Sequence, residues 1–260
     1  MLIVEAIHAF NDNYIWFFHN GTEGFVVDPG DASVVIHHLE QRSIRLQGIL
    51  ITHWHADHTG GIAALTAHYN TLNTSPIRTY GPASIAGITH ALEDADKITL
   101  LDTSFSILAT PGHTLDHISY VAVSENILFC GDTLFTGGCG RMFEGTPPIY
   151  LASLDKLAAL PPTTRIYCAH EYTVNNCIFA QEVEPHNKMI QKRLFDSQKR
   201  RSEQKITVPT TLELELLTNP FLRTRQPDVV KTIIKNTPSM GVGTDPVSIF
   251  ASLRQWKDNF

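Results

Sequence analysis

The chain has 260 residues, 43% of them hydrophobic and 18% charged, with a formal charge of −6. That balance suits one large globular domain or a medium one with a smaller companion, and it excludes an intrinsically disordered chain. The acidic balance argues against a nucleic-acid surface, and no run approaches the roughly 18 apolar residues that a membrane span needs.

The opening Met1-Leu2-Ile3-Val4-Glu5 lacks the basic flank, apolar core and cleavage site of a signal peptide. It reads as a first strand, and a cytoplasmic protein is expected. Apolar runs at 14–18 and 24–28 predict two more strands, a helix follows over 33–42, and 46–51 predicts a buried strand. A helix over 58–69 comes next, then strands at 105–109, 117–123 and 127–130. A helix over 149–160 is stopped by Pro161-Pro162, and 165–168 reads as a last strand.

After His170 the strand-like runs vanish. Helical patterns cover 173–183, 187–205, 211–217, 228–236 and 246–257, the last with Asp245 as cap and Pro246 at the first helical position. Lys199-Arg200-Arg201 reads as a solvated helix face. The expected plan is a catalytic domain at 1–170 followed by an all-helical domain at 171–260. Cys130, Cys139, Cys168 and Cys177 show no C-x-x-C pair and no disulfide-rich spacing, so they read as thiols.

The chemistry concentrates in Thr52-His53-Trp54-His55-Ala56-Asp57-His58, where four potential metal ligands fall within six residues at the end of a predicted strand. A lone histidine is usually a satisfied polar residue. Clustered imidazoles repel one another when protonated, and they need donors or a cation when neutral. Alternation along an extended segment points His53 and His55 to one side. Asp57 and His58 follow as the chain turns and can face a second point, one metal–metal separation of roughly 3.5–4 Å away.

Three further strand runs end in a ligand-type residue: His113 in Thr110-Pro111-Gly112-His113-Thr114, Asp132 in Gly131-Asp132-Thr133, and His170 in Ala169-His170-Glu171. Singly, each reads as a turn or a helix cap. With the first cluster they make seven ligands, enough for two metals.

The T-H-W-H-A-D-H, P-G-H-T, G-D-T and C-A-H-E-Y-T segments resemble the metallo-β-lactamase superfamily. G-D-T-L-F-T-G-G-C-G-R and H-E-Y-T, with the tail segments N-P-F-L-R, T-D-P-V and L-R-Q-W-K-D-N-F, are similar to the hydroxyacylglutathione hydrolase (glyoxalase II) family within it. The resemblance spans nearly the whole chain. It implies an α+β fold, the metallo-β-lactamase αββα sandwich, with a C-terminal all-helical domain.

It also implies two divalent metal ions, zinc first, with iron or manganese also suited to the donor set. By the family pattern His53, His55 and His113 bind the first metal, Asp57, His58 and His170 the second, and Asp132 bridges them. Asp28 in V-D-P-G stands behind the ligands and orients their loop. The histidines outside the motifs, such as His37, His38, His68 and His90, are read as ordinary surface or core residues.

The implied reaction is hydrolysis of S-lactoylglutathione to glutathione and D-lactate, part of methylglyoxal detoxification, by a metal-bridging hydroxide held by Asp132 and Asp57. No G-x-S-x-G nucleophile motif is present. The two glutathione carboxylates call for cationic and phenolic partners, which the family pattern puts at Arg141, Tyr172, Arg254 and Lys257. Arg141 stands where some relatives carry lysine, and Phe143 where some carry tyrosine. Arg254 and Lys257, three apart on the last predicted helix, are expected to share a face. A monomer is expected, acting on a small-molecule glutathione thioester with no nucleic-acid or membrane partner.

The nearest alternative is a persulfide dioxygenase, a mononuclear iron oxidoreductase on the same fold. It usually ends soon after the segment matching His170, whereas here ninety further residues follow. A nuclease of the superfamily is disfavoured by the acidic charge. A noncatalytic metal module is disfavoured by a ligand set larger than structure requires.

Overall fold

The computed structural model describes residues 2–236 and 243–260. By contacts between residues the chain divides into two compact units, one of residues 1–109 and 116–131, the other of residues 110–115 and 132–260.

The first unit opens with β1 (Ile3–Ala9), β2 (Asn13–His19) and β3 (Glu23–Val27), then α1 (Ala32–Glu40), β4 (Arg45–Leu50), α2 (Ala56–Thr59) and α3 (Ile62–Leu72). It continues with β5 (Arg78–Gly81), β6 (His90–Ala91), β7 (Lys97–Leu100), β8 (Thr103–Ala109), β9 (Ile118–Ala122) and β10 (Ile127–Gly131). Strands β1 to β6 form one mixed sheet in sequence order, antiparallel from β1 to β3 and parallel from β3 to β6. Strands β7 to β10 form an antiparallel run.

Every residue of β2 is buried, which accounts for its apolar sequence Tyr14-Ile15-Trp16-Phe17-Phe18. Alternation sends Ile15 and Phe17 into a core shared with Val35 and Leu39 of α1 and with Ile62 and Leu65 of α3. Phe18 points the other way, and its ring lies 5.4 Å from each of Phe105 on β8 and Phe129 on β10. Helices, first sheet and second sheet are therefore three successive layers. The Tyr120 hydroxyl of β9 donates across the sheets to the Ile51 carbonyl at 2.7 Å, fixing the end of β4 just before the histidine-rich loop.

The helix expected over 58–69 is two helices. Gly60 and Gly61 separate α2 from α3 because the loop after β3 passes against them, with Gly61 N–H donating to the Pro29 carbonyl at 2.9 Å. A Cβ at Gly61 would sit 2.3 Å from that oxygen, and one at Gly30 would sit 1.9 Å from the Asp57 carbonyl oxygen. Only glycine permits this approach of backbone to backbone.

The second unit holds the short hairpin β11 (Leu134–Phe135) and β12 (Gly138–Cys139), then α4 (Pro147–Ala158) and β13 (Arg165–Cys168). After these come α5 (Thr173–Val183), α6 (Lys188–Ser202), β14 (Thr210–Thr211), α7 (Leu212–Thr218), α8 (Pro227–Asn236) and α9 (Pro246–Asp258). Helix α4 starts two residues before the expected 149 because Pro147 and Pro148 fit its first turn. Asp245 caps α9 as expected, accepting from Val247 and Ser248 N–H groups at 3.1 and 3.0 Å. The reading that strands vanish after His170 is corrected by β14, two residues that pair antiparallel with β13. Two polar threonines give no apolar run to read.

All four cysteines are free and buried. Burial pushes the thiols of Cys139 and Cys177 up to about 11 and that of Cys168 to about 12. No helix among the described residues is long and apolar enough to cross a membrane.

Phe18→Ala should empty the space between the two sheets of the first unit. A loss of about 3–5 kcal/mol of unfolding free energy is expected, measured by denaturant titration with an unchanged slope.

Candidate metal centre

In the first unit the ligand-type residues follow β4 and line the entry to α2. Asp28, buried and in the left-handed region at φ 53°, is the hub of this loop. Its Oδ1 accepts from the Thr52 backbone N–H at 2.8 Å and its Oδ2 from the Thr52 hydroxyl at 2.7 Å. Since that hydroxyl gives its proton to Asp28, it meets His53 Nδ1, 3.0 Å away, as an acceptor. The His53 proton therefore sits on Nδ1, and Nε2 keeps its lone pair. His58 Nδ1 lies 3.1 Å from Asp28 Oδ2, so the same carboxylate faces this ring as well.

The nitrogens so freed converge. His53 Nε2 and His55 Nδ1 are 3.0 Å apart, near the ~3.3 Å that two nitrogens span on one tetrahedral zinc. His58 Nε2 is 3.5 Å from Asp57 Oδ2. The amide of Asn13 donates to that same oxygen at 3.0 Å.

In the second unit Asp132 lies between two imidazoles, its Oδ2 3.5 Å from His113 Nε2 and 3.4 Å from His170 Nε2. His113 Nδ1 donates to the Arg141 carbonyl at 2.8 Å, so its Nε2 faces the carboxylate without a proton when the ring is neutral. A lone pair opposite a carboxylate oxygen is repulsive, and a cation between them turns the repulsion into coordination. Both half-sets therefore fit divalent metals, with the nitrogen and oxygen donors that zinc, iron and manganese take.

The segment from Asp132 to Arg141 is held from behind. The Tyr150 hydroxyl lies 3.0–3.2 Å from the carbonyl oxygens of Asp132, Thr133 and Gly140, and burial keeps its phenol protonated well above the usual range. Asn176 donates to the Thr136 carbonyl, Gly137 N–H donates to Glu215, and Asn219 donates to the carbonyls of Phe135 and Gly138.

The residues expected to meet glutathione all lie in this second unit. The Tyr172 ring stacks on His170 at 4.8 Å and 5°, and Phe143, 61% exposed, lies 5.3 Å from the His113 ring. Lys257 Nζ reaches the Asn175 carbonyl at 3.3 Å, and burial together with the Arg254 charge lowers its ammonium below the usual range. Arg254 is only 4% exposed, and its guanidinium turns inward to the carbonyls of Cys139 and Gly140 at 2.9 and 3.3 Å.

Sequence reasoning missed His117, buried and stacked on His53 at 4.8 Å, and it missed Asn13 and Tyr150. His117 stands immediately before β9 and carries no spacing signal. Asn13 and Tyr150 act through contacts distant in sequence.

A model of the metallo-β-lactamase superfamily matches residues 10–170, and one described as the hydroxyacylglutathione hydrolase C-terminus matches 171–260. Two solved structures share the fold. ETHE1 from Myxococcus xanthus has a TM-score of 0.64 at 21% identity and covers 98% of each chain. BLEG-1 B3 metallo-β-lactamase has a TM-score of 0.62 at 23% identity and covers 85% of this chain and 99% of that one. The molecule thus has the α+β metallo-β-lactamase fold with a helical C-terminal domain.

A hydroxyacylglutathione hydrolase of Photobacterium profundum is 49% identical over 263 residues, and one of Ectopseudomonas mendocina is 47% identical over 265, each covering 100% of both chains. The chain belongs to the hydroxyacylglutathione hydrolase family.

Asp28→Ala removes the carboxylate that faces the His58 ring and that, through Thr52, sets the His53 ring. Metal affinity should fall about 10- to 100-fold, read by competition with a chromogenic chelator.

Proposed function

We propose that this chain hydrolyses S-(2-hydroxyacyl)glutathione thioesters, S-lactoylglutathione foremost, to glutathione and D-lactate, so disposing of methylglyoxal. The observation that carries this reading is one chain combining the superfamily ligand segments with the family's C-terminal region at 171–260. On this reading 1–170 is the catalytic domain and 171–260 the substrate-binding domain.

His53, His55 and His113 would hold one divalent metal and Asp57, His58 and His170 the other, with Asp132 as the ligand the two would share; zinc is the first choice, and iron or manganese would suit the same donors. Two such cations supply a hydroxide nucleophile at neutral pH and polarise the thioester carbonyl. The protein's own groups set the ligands. Asp28 and Thr52 fix the proton on His53, the Arg141 carbonyl fixes it on His113, and Asn13 takes one oxygen lobe of Asp57. The departing thiolate has a parent pKa of about 8.5 and needs little help from an acid. Arg141, Tyr172, Arg254 and Lys257 meet the peptide portion of the substrate, with Phe143 beside them as an apolar contact. The protein acts as a cytoplasmic monomer, with neither nucleic acid nor membrane as partner.

The metal-loaded protein should release free thiol from S-lactoylglutathione under strict anaerobiosis, should carry close to two metal equivalents, and should lose activity on chelation. Oxygen uptake with glutathione persulfide while S-lactoylglutathione stays intact would instead identify a dioxygenase. Asp132→Ala should lose metal together with activity, the latter by about 100-fold or more; full activity at unchanged metal content would refute the bridging role.

Lys257→Ala removes a charge-assisted contact remote from the reacting carbon. KM for the glutathione thioester should rise about tenfold while a small thioester lacking the peptide is spared. Equal losses on both substrates would make Lys257 a structural residue.

A further inference from the structure

The cationic group that meets the substrate in the proposed reaction already contains a carboxylate. Asp258 Oδ1 accepts from Arg254 Nε at 3.1 Å and from Arg254 Nη2 at 2.8 Å, and the same oxygen lies 3.9 Å from Arg141 Nε. Arg254 Nη1 is taken by the Cys139 and Gly140 carbonyls. The edge of the guanidinium that could clasp a carboxylate in two-point fashion is therefore filled from within. Arg141 stays 66% exposed, and Lys257 precedes Asp258 directly in sequence. Three cations and one anion leave two net positive charges.

Helix stability does not account for Asp258. It is the last residue of α9, the negative end of the helix dipole, where a carboxylate is disfavoured. Its pair with Arg254 also runs in the weaker direction, with the base preceding the acid by four residues. Asp258 is itself 37% exposed, and its partner, the buried Arg254 guanidinium, also has the Cys139 and Gly140 carbonyls as acceptors.

We propose that Asp258 is a specificity-determining residue, the resident counter-charge of Arg141, Arg254 and Lys257, which holds the affinity of this patch for the glutathione carboxylates below what three cations would give. Substrate and product carry the same peptide carboxylates, so the counter-charge weakens both and favours release of glutathione. The inference rests on the glutathione thioesterase reading above.

Asp258→Asn is the direct test, because the amide oxygen can still accept from Arg254 while the charge is gone. In the metal-loaded enzyme KM for S-lactoylglutathione and the inhibition constant of free glutathione should both fall, roughly three- to tenfold for a like charge removed a few ångströms away through partly hydrated surroundings. A thioester without carboxylates should show no change in KM, a split that a merely structural role would not produce. Arg141→Gln, which keeps Asp258 and removes an exposed cation, should move both constants upward. The thermal midpoint of each variant identifies one that has lost its fold.

The outcomes separate the two claims. A metal-loaded wild type that leaves S-lactoylglutathione intact overturns the functional reading. A wild type that hydrolyses it, paired with a folded Asp258→Asn enzyme whose constants are unchanged or raised, overturns the counter-charge alone.

Discussion

Asp28 places a carboxylate inside the first unit in the left-handed region, φ 53°, and satisfies it with two donors from Thr52, while His58 Nδ1 lies 3.1 Å from its Oδ2. An ionised group taken out of water needs such partners, and each partner is thereby fixed in turn. The tautomer of His53, the orientation of His58 and the path of the chain after β4 all follow from this one anion. The close approach of Gly30 and Gly61 is its backbone counterpart, bringing the loop behind Asp28 into contact with the one that carries Asp57. The tight loop leaves no room for a side chain at either glycine.

The second unit reaches the same end by another route. Here the ligand segment around Asp132 is an irregular hairpin with few ladder bonds of its own. Helices distant in sequence supply what it lacks: Asn176 from α5, Glu215 from α7 and Arg254 from α9, with Asn219 just beyond α7 and Tyr150 from α4. Glu215 is itself buried and paired with Arg193 of α6, whose guanidinium is held charged by that carboxylate despite burial. A fully satisfied polar network of this kind admits one arrangement and penalises others. The helical region is thus the mould in which the hairpin is set, as well as a candidate surface for substrate.

Much of this was legible in the sequence because the relevant signals are local. The apolar runs of β2, β4 and β8 and the Asp245-Pro246 start of α9 depend on neighbours a few residues away, and the structure has them where the patterns put them. The short strands β5, β7, β11 and β12 escaped notice because half-polar sequence such as Arg78-Thr79 or a two-residue bridge carries no periodicity. The break between α2 and α3 depends on the Asp28 loop, which follows the neighbouring strand β3 and packs against it, and periodicity cannot report that. The ligand-type residues announced themselves by density. Asn13, His117 and the inward turn of Arg254 did not, because each gains its meaning from a partner that the fold brings from far along the chain.

The four buried thiols have a bearing on the chemistry of a thioesterase. A thioester reacts with any accessible thiolate by acyl exchange, and free glutathione exchanges with protein disulfides and activated cysteines. Cys139, Cys168 and Cys177 are shielded from water and held protonated well beyond neutral pH, and Cys130 is buried with them. A protein that handles an activated acyl group and liberates a thiol at every turnover thus presents neither with a nucleophile of its own. Self-acylation and mixed-disulfide formation are suppressed by packing alone, and the cysteines serve here as small apolar side chains.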